Sequence, residues 1–437
     1  MKKIKKVAKV LAVAGIATSI LVGCGAKKEE KTSGDGDKVK LTMAWWGSQA
    51  RHDATVKVID MYEKQNPNVK IEPEFYDFDG YVTKLNVATA ADKVWDIWQI
   101  AGNYPAYLNN IEPLDTYIDK GLIDTKDTSE AYLKTTQRDG KQLGLSNGMN
   151  AYAIAYDPEL FKKAGIEEPT TDWTWEDFEK ICLKIKEKLN IYGFELEQLD
   201  DFYPGASVGV GQYGGGLNFY DKDDDAKLGF DKSNLLSPYF KMRKTLVDAG
   251  AMPDSGAIAE VKDIENSYLV KKESAMKWIA SNQVNALGQA ANREIKLITL
   301  PKRKEDVGST ALMSSQMLCI AKNSKYKEEV AKFINFFQND IEANKILNGE
   351  RGVPIMEKVR EELKKDATDT LKSTFDYIEL VGEKGNSEIN TVENPNNAII
   401  RDQYLLLLQQ VIAGEMKPDA AAKEIYDFAK EKVKEAK

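Results

Sequence analysis

The sequence predicts an α/β protein organised on parallel strands. Three observations carry that reading: short apolar runs of period two, longer runs of helical period between them, and regular alternation of the two. Val39, Leu41, Met43 and Trp45 alternate with Lys40, Thr42 and Ala44, marking a first strand that stops at Trp46-Gly47. From Asp53 to Lys64, Val56, Ile59 and Tyr62 share one helical face, with Asp53 as the expected N-cap and Asn66-Pro67-Asn68 as the stop. Val69, Ile71 and Phe75 give a second strand, Tyr81 to Ala91 a second helix and Val94 to Ile100 a third strand. This βαβαβ order builds a parallel sheet whose ligand crevice lies beyond the carboxyl ends of the strands.

After a proline-punctuated stretch from Pro105 to Thr136, Ala151 to Tyr156 reads as another strand. Asp157-Pro158-Glu159-Leu160 then opens a helix, since Pro suits the first turn. Thr174 with Asp177 three residues on gives a capping-box start, after which Trp175, Phe178, Ile181, Ile185 and Leu189 share a face. Cys182, beside that stripe, and Cys319, in Met317-Leu318-Cys319-Ile320, read as small buried apolar residues rather than reactive thiols. Further helices are expected near Leu235 to Ala249, Lys325 to Leu347, Ala398 to Gly414 and Pro418 to Glu435. With 437 residues, 42% of them hydrophobic, the chain can fill more than one core.

The start of the chain is of another kind. Lys2, Lys3, Lys5, Lys6 and Lys9 precede an apolar run from Val10 to Leu21, the layout of a secretory signal. That run falls short of the roughly 20 residues a membrane span requires. It ends in Leu21-Val22-Gly23-Cys24, which resembles the lipobox of bacterial lipoproteins. The resemblance implies a signal peptide over residues 1–23 and a lipid, palmitate among its acyl groups, on Cys24. Gly25 to Lys38 holds no large apolar residue, so 24–38 is expected to be a flexible tether with a reach of roughly 20 Å.

Composition removes several functions. Against 61 Lys plus Arg stand 69 Asp plus Glu, a formal charge of -8, which argues against a nucleic-acid partner. One histidine and three cysteines without a CxxC pair exclude a His-rich zinc site, and neither a metal nor a cofactor is expected. Gly209-Val-Gly211-Gln-Tyr-Gly214 matches a dinucleotide fingerprint. The next residues, Gly215-Gly216-Leu217-Asn218-Phe219-Tyr220, form a turn and strand pattern and not the helix that would hold a pyrophosphate. Asp221, Asp223 and Asp225 imitate a calcium loop, but Ala226 stands where Gly is needed and Lys232 where a Glu should close the site. His52 has no nucleophile at a meaningful spacing and reads as structural, and no local spacing of acids singles out a glycosidase pair.

The aromatic residues are more informative. An apolar ring stacks on the C–H face of a pyranose while Asn, Gln and Arg bond its hydroxyls, so tryptophans beside amides suit a sugar. Core packing is the ordinary fate of a tryptophan. Trp46 and Trp278 are expected instead at a cleft rim, because Gly47, Ser48 and Gln49 surround the first, and Ser281 and Asn282 the second.

On these residues the chain resembles the family 1 extracellular solute-binding proteins, the sugar-binding lipoproteins of bacterial ABC importers. The likeness rests on the ordered series Trp45-Trp-Gly-Ser-Gln49, Tyr62-Glu-Lys-Gln-Asn-Pro-Asn-Val-Lys-Ile71, Asp96-Ile-Trp-Gln99, Asn150-Ala-Tyr-Ala-Ile-Ala-Tyr156 with the helix after it, Thr174-Trp-Glu-Asp-Phe178, Ala275-Met-Lys-Trp278 and Arg351-Gly-Val-Pro354. It implies a two-lobed, type II periplasmic-binding-protein-like α/β fold with a hinge. Residues 39–149 plus 301–348 would form one lobe and 150–300 plus 349–437 the other. The hinge crossings would fall near Asn147 to Asn150, Leu300 to Ser309 and Gly349 to Pro354. It also implies ligand contacts from Trp46, Ser48, Gln49, Gln99, Asn103, Asn150, Trp278, Asn282 and Arg351, with no catalytic residue. The implied protein is a monomer on the outer face of the cytoplasmic membrane, held only by its lipid, which passes sugar to the permease subunits. Val94-Trp95 replaces the Pro common before the Asp of strand three, and Asn103 and Asn150 replace acids of related maltose binders, which argues against maltose itself. A lipid-anchored glycosidase, and the same fold carrying a peptide or another polar solute, remain as alternatives.

Overall fold

A computed structural model describes residues 38–101, 104–196, 202, 219–221, 224, 226–261, 264–302, 310–385 and 394–435. The expected signal peptide, Cys24, most of the tether, Asn103, the 209–214 motif, Asp223 and Asp225 lie outside the described residues. In chain order the strands are β1 (Val39–Trp46), β2 (Val69–Tyr76), β3 (Ile97–Ile100), β4 (Ile111–Glu112), β5 (Gln137–Arg138), β6 (Lys141–Gln142), β7 (Leu145–Ser146), β8 (Met149–Tyr156), β9 (Tyr192–Glu195), β10 (Ser274–Ala280), β11 (Lys296–Ile298), β12 (Leu312–Ser314) and β13 (Met317–Ala321).

Two principal sheets result. The first has the order β2-β1-β3-β13-β4, with β7 also on β13. Its β2, β1 and β3 are parallel, as the alternation predicts, while β13 returns antiparallel to β3. The second has the order β11-β8-β10-β9, with β12 also on β8, and here only β10 and β9 are parallel.

Period two decides which core each side chain joins. In β1, Leu41, Met43 and Trp45 enter one apolar cluster and Ala44 the other; in β13, Leu318 and Ile320 part from Met317 and Cys319 in the same way. In β8, Ile154 and Tyr156 face the cluster built on the C-terminal helices Asn397–Ile412 and Pro418–Glu435. Ala151, Ala153 and Ala155 face the opposite cluster, where their small size lets the helix Asp369–Leu380 lie close to the sheet.

Helix starts follow capping chemistry. Thr174 and Asp177 form the expected reciprocal box, and Asp157 caps the helix Pro158–Ala164, which ends on left-handed Gly165. The first helix differs from expectation: it begins at Gln49, four residues early. Ser48 is extended and its Oγ accepts from Arg51 N–H, so the serine is the cap, and Asp53 instead accepts from Gln49 Nε2 at 2.8 Å. The single helix expected over Lys325 to Leu347 is two, Lys327–Asn339 and Ile341–Leu347, because Asp340 is extended and caps the second through Ala343 N–H. Cys182 and Cys319 are buried free thiols, and burial pushes both thiol pKa values up.

Two chain segments join the sheets, β7 to β8 and β12 to β13, and a third around Val353 runs beside them. Asn147 N–H donates to Gln316 O at 2.8 Å, Ser315 N–H donates to Gly148 O at 3.0 Å, and Met149 and Val353 exchange both backbone bonds. The first lies at the expected Asn147 to Asn150; the third lies within the expected Gly349 to Pro354 but links the helices Ile341–Leu347 and Glu357–Asp366, whose buried residues share one apolar cluster. The middle one falls at Ser314 to Met317, after the expected Leu300 to Ser309, because β12 still pairs with β8 and only β13 belongs to the first sheet. Residues 303–309 lie outside the described residues. Two glycines permit this packing. A Cβ on Gly148 would meet Arg351 O at 2.6 Å, and Gly352, at φ +113, would bring one within 2.9 Å of Asn150 Oδ1.

Candidate functional site

The carboxyl ends of β1 and β3 carry the first group of expected residues. Trp46, the last residue of β1, is half-buried, with Phe78 edge-on at 5.5 Å and Tyr81 tilted at 5.2 Å; Trp95 stacks on Tyr81 at 6.0 Å. Phe78 is an exposed aromatic, 53% accessible, at the start of the helix Phe78–Ala90. Gln99 is fully buried: its Nε2 donates to Trp46 O at 3.2 Å and its Oε1 has no protein partner. Tyr81 fixes it, since the Tyr81 hydroxyl donates to Gln99 O at 2.6 Å and accepts from Gln99 N–H at 3.1 Å. Ser48 and Gln49 are exposed, and their side chains bond within the helix they begin.

The second group sits at the sheet crossings. Asn150 is 8% exposed and its Oδ1 is buried without a partner. The same holds for Asn147 Nδ2, Ser315 Oγ and Gln316 Oε1 on the adjacent segments. Gln338 Nε2 donates to Asn147 Oδ1 at 3.1 Å, which holds that amide in place and leaves its donor end free. Arg351 is 4% exposed; Nη2 donates to Thr55 Oγ1 at 2.7 Å, the guanidinium lies over Phe337, and Nε and Nη1 have no partner. Buried polar groups are ordinarily bonded, so these unmatched donors and acceptors on adjacent segments stand out.

A family model for the bacterial extracellular solute-binding protein matches residues 46–343. The chain belongs to that family. Its members are the solute-binding proteins of ABC importers, and the two-lobed type II fold expected from the sequence holds. An arabinooligosaccharide-binding protein of Bacillus subtilis (strain 168) is 23% identical over 355 residues, covering 76% of each chain. A family 1 extracellular solute-binding protein from Alicyclobacillus acidocaldarius has a solved structure with TM-score 0.77 at 24% identity, over 92% of this chain and 100% of that one. A periplasmic oligogalacturonide-binding protein from Yersinia enterocolitica, in complex with saturated digalacturonic acid, gives TM-score 0.73 at 23% identity, over 91% and 100%.

In this solute-binding protein the expected residues divide. Trp46, Ser48, Gln49 and Gln99 meet at one sheet end, and Arg351 reaches the helix that starts there through Thr55. Asn150 lies on the crossing beside Gly352. Asn282 is exposed in the turn after β10, which Ser281 ties to β8 by accepting from Ala151 N–H at 3.2 Å. Trp278 departs from expectation. It is 2% exposed, inside the core of the second sheet and 4.9 Å from Tyr152, because β10 is a central strand flanked by β8 and β9. Its polar sequence neighbours lie beyond the strand end. Ser315 and Gln316 were missed, since the middle crossing was placed too early, and Asn147, inside the expected first crossing, was not singled out as a contact. The polar triplet Ser314-Ser315-Gln316 between two apolar pairs was the available signal. A separate groove of about 620 Å³ between β11 and the helix Asp369–Leu380 contains none of these residues.

His52 is structural in its contacts. Trp45 Nε1–H donates to its Nδ1 at 3.1 Å and Phe75 stacks on it at 4.4 Å. Burial, then the charges of Arg51 and Arg351, hold its pKa below the ordinary value. Among the described residues no group of three or more His, Cys, Asp or Glu side chains is placed to hold a metal, and no helix is long and apolar enough to cross a membrane.

Proposed function

We propose that this solute-binding protein is a saccharide receptor that closes its two lobes on a sugar or oligosaccharide and hands it to a membrane permease. One observation carries the reading: both unmatched acceptors (Asn150 Oδ1, Gln316 Oε1, Gln99 Oε1) and an unmatched amide donor (Asn147 Nδ2) are buried at or near the crossings, within a fold whose Trp46 ring is left half-buried. Sugar hydroxyls donate and accept at once, so they satisfy such a mixed set, while a pyranose face covers the indole. Relatives named for arabinooligosaccharide and oligogalacturonide support the class of cargo. Ligand contacts on both lobes would favour the closed form, which is the form a permease can distinguish. In this reading Cys24 carries the lipid, the 24–38 tether gives the body its reach, and the receptor works as a monomer on the outer face of the membrane.

A thermal-shift panel of oligosaccharides tests it. A cognate sugar should stabilise the protein by about 2.7 kcal/mol at a hundredfold excess over Kd and be recovered unchanged. Turnover to new reducing ends would favour a glycosidase, and a shift with peptides alone would change the cargo. Labelled-lipid incorporation that survives Cys24→Ala would remove the anchor.

A further inference from the structure

The Arg351 guanidinium raises a question that sugar hydroxyls do not answer. A buried charge without a counter-charge costs several kcal/mol, so such groups are ordinarily paired. Arg351 is 96% buried, yet among the described residues it makes no ion pair. The nearby carboxylate, Glu350, is taken: Arg51 Nε holds it at 2.6 Å while Arg51 Nη1 donates to Trp46 O at 3.4 Å. Thr55 Oγ1 satisfies one nitrogen of Arg351, Phe337 supports the plane, and Nε–H and Nη1–H remain free. Burial, followed by the charge of Arg51, pulls its pKa down to about 9. Burial and the charges of Arg51 and Arg351 lower the pKa of His52, beside this corner, below the ordinary value.

The position matters as much as the charge. Arg351 is the residue before Gly352, where a Cβ would lie 2.9 Å from Asn150 Oδ1, and its side chain reaches the second turn of the helix that begins behind Trp46. Arg351 thus links the segment that carries Asn150's neighbour Gly352 to the helix that follows Trp46, through its bond to Thr55.

We propose that the saccharide bound here carries a carboxylate, as a uronic acid residue does, and that Arg351 is its counter-charge. The inference rests on the saccharide reading and narrows it. A carboxylate accepts both kinds of free donor and offsets the buried charge, whereas a hydroxyl does only the first. A phosphate dianion would need a second free cation, and Arg51 is already committed to Glu350.

The experiment is calorimetric titration of the whole chain with uronate disaccharides, their carboxyl-reduced analogues and the matching sugar phosphates. The wild type should prefer an acid over its reduced analogue by about tenfold or more, the worth of a charge-assisted hydrogen bond. Arg351→Gln should weaken the acid more than the reduced analogue, so that the preference between the two shrinks from about tenfold toward unity. Arg351→Lys should keep part of the preference. If Arg351→Gln does not fold, the wild-type ratio decides alone. Equal affinity for acid and reduced analogue, or preference for the reduced one, overturns the carboxylate while leaving a saccharide receptor standing. Preference for the phosphate overturns it in favour of a dianion, and binding of no saccharide overturns both readings.

Discussion

Trp46 and Trp278 look alike in the sequence, each near the end of a strand and each within four residues of a small residue and an amide on its C-terminal side, but the fold treats them in opposite ways. Trp46 closes β1 and remains half-buried, touching Phe78 and Tyr81 around its rim. Trp278 sits within β10, paired with Ile154 of β8, and is enclosed on all sides. Two further residues of β10 separate it from the turn that made it look like a rim residue. Exposure is set by depth in the sheet and not by the polarity of the next few residues.

Substitution should separate the two roles. Trp278→Ala removes a large ring from a packed core and should cost about 3 to 5 kcal/mol of stability, read as a loss in denaturant midpoint. A loss under about 1 kcal/mol, as for a surface residue, would mean that the ring is not core. Trp46→Ala should do the reverse: little change in stability, and sugar affinity weaker by about 2 kcal/mol in calorimetry. Should Trp46→Ala bind sugar normally, the stacking role passes to Phe78 or is absent.

The same contrast explains what the sequence made legible. β1, its helix and β2 were readable because each carries its own period and its own stop, and because they are neighbours in both chain and sheet. β13 was readable as a strand, but its place between β3 and β4 depends on residues more than two hundred positions away. The crossings were harder still. Their side-by-side packing comes from backbone bonds between residues 147–149, 315–316 and 353, which no local pattern encodes. Gly148 and Gly352 hint at close approach, and Gln316 and Ser315 became visible only once β12 was seen to stay with β8.

Crossing residues extend the comparison to smaller effects. Asn150 Oδ1 has no internal partner to lose, so Asn150→Ala should leave stability within about 0.5 kcal/mol. Sugar affinity should fall by about 1 kcal/mol, one hydrogen bond's net worth. Gln338→Ala makes the control, because it frees Asn147 Oδ1 without touching the open amide end. An Asn150→Ala protein that loses stability and keeps its affinity would place that amide in the framework.

The smallest effect concerns His52, on the helix that begins just after Trp46. Its Nδ1 accepts from Trp45, so the fold binds the neutral imidazole with its proton on Nε2. Burial, Arg51 and Arg351 oppose a second proton, and Asp53 and Glu350 offset them only in part, leaving the folded pKa below the ordinary value of about 6.5. Below pH 6.5 the unfolded chain takes up a proton that the folded one resists. The stabilising contribution is therefore complete above that pH and is lost as pH falls toward the folded value. Because the chain has a single histidine, its imidazole resonance needs no assignment. Titration by NMR should give a native midpoint below that of the urea-unfolded chain. A native midpoint at or above the unfolded one would mean that Asp53 and Glu350 outweigh burial and the charges of Arg51 and Arg351 at His52.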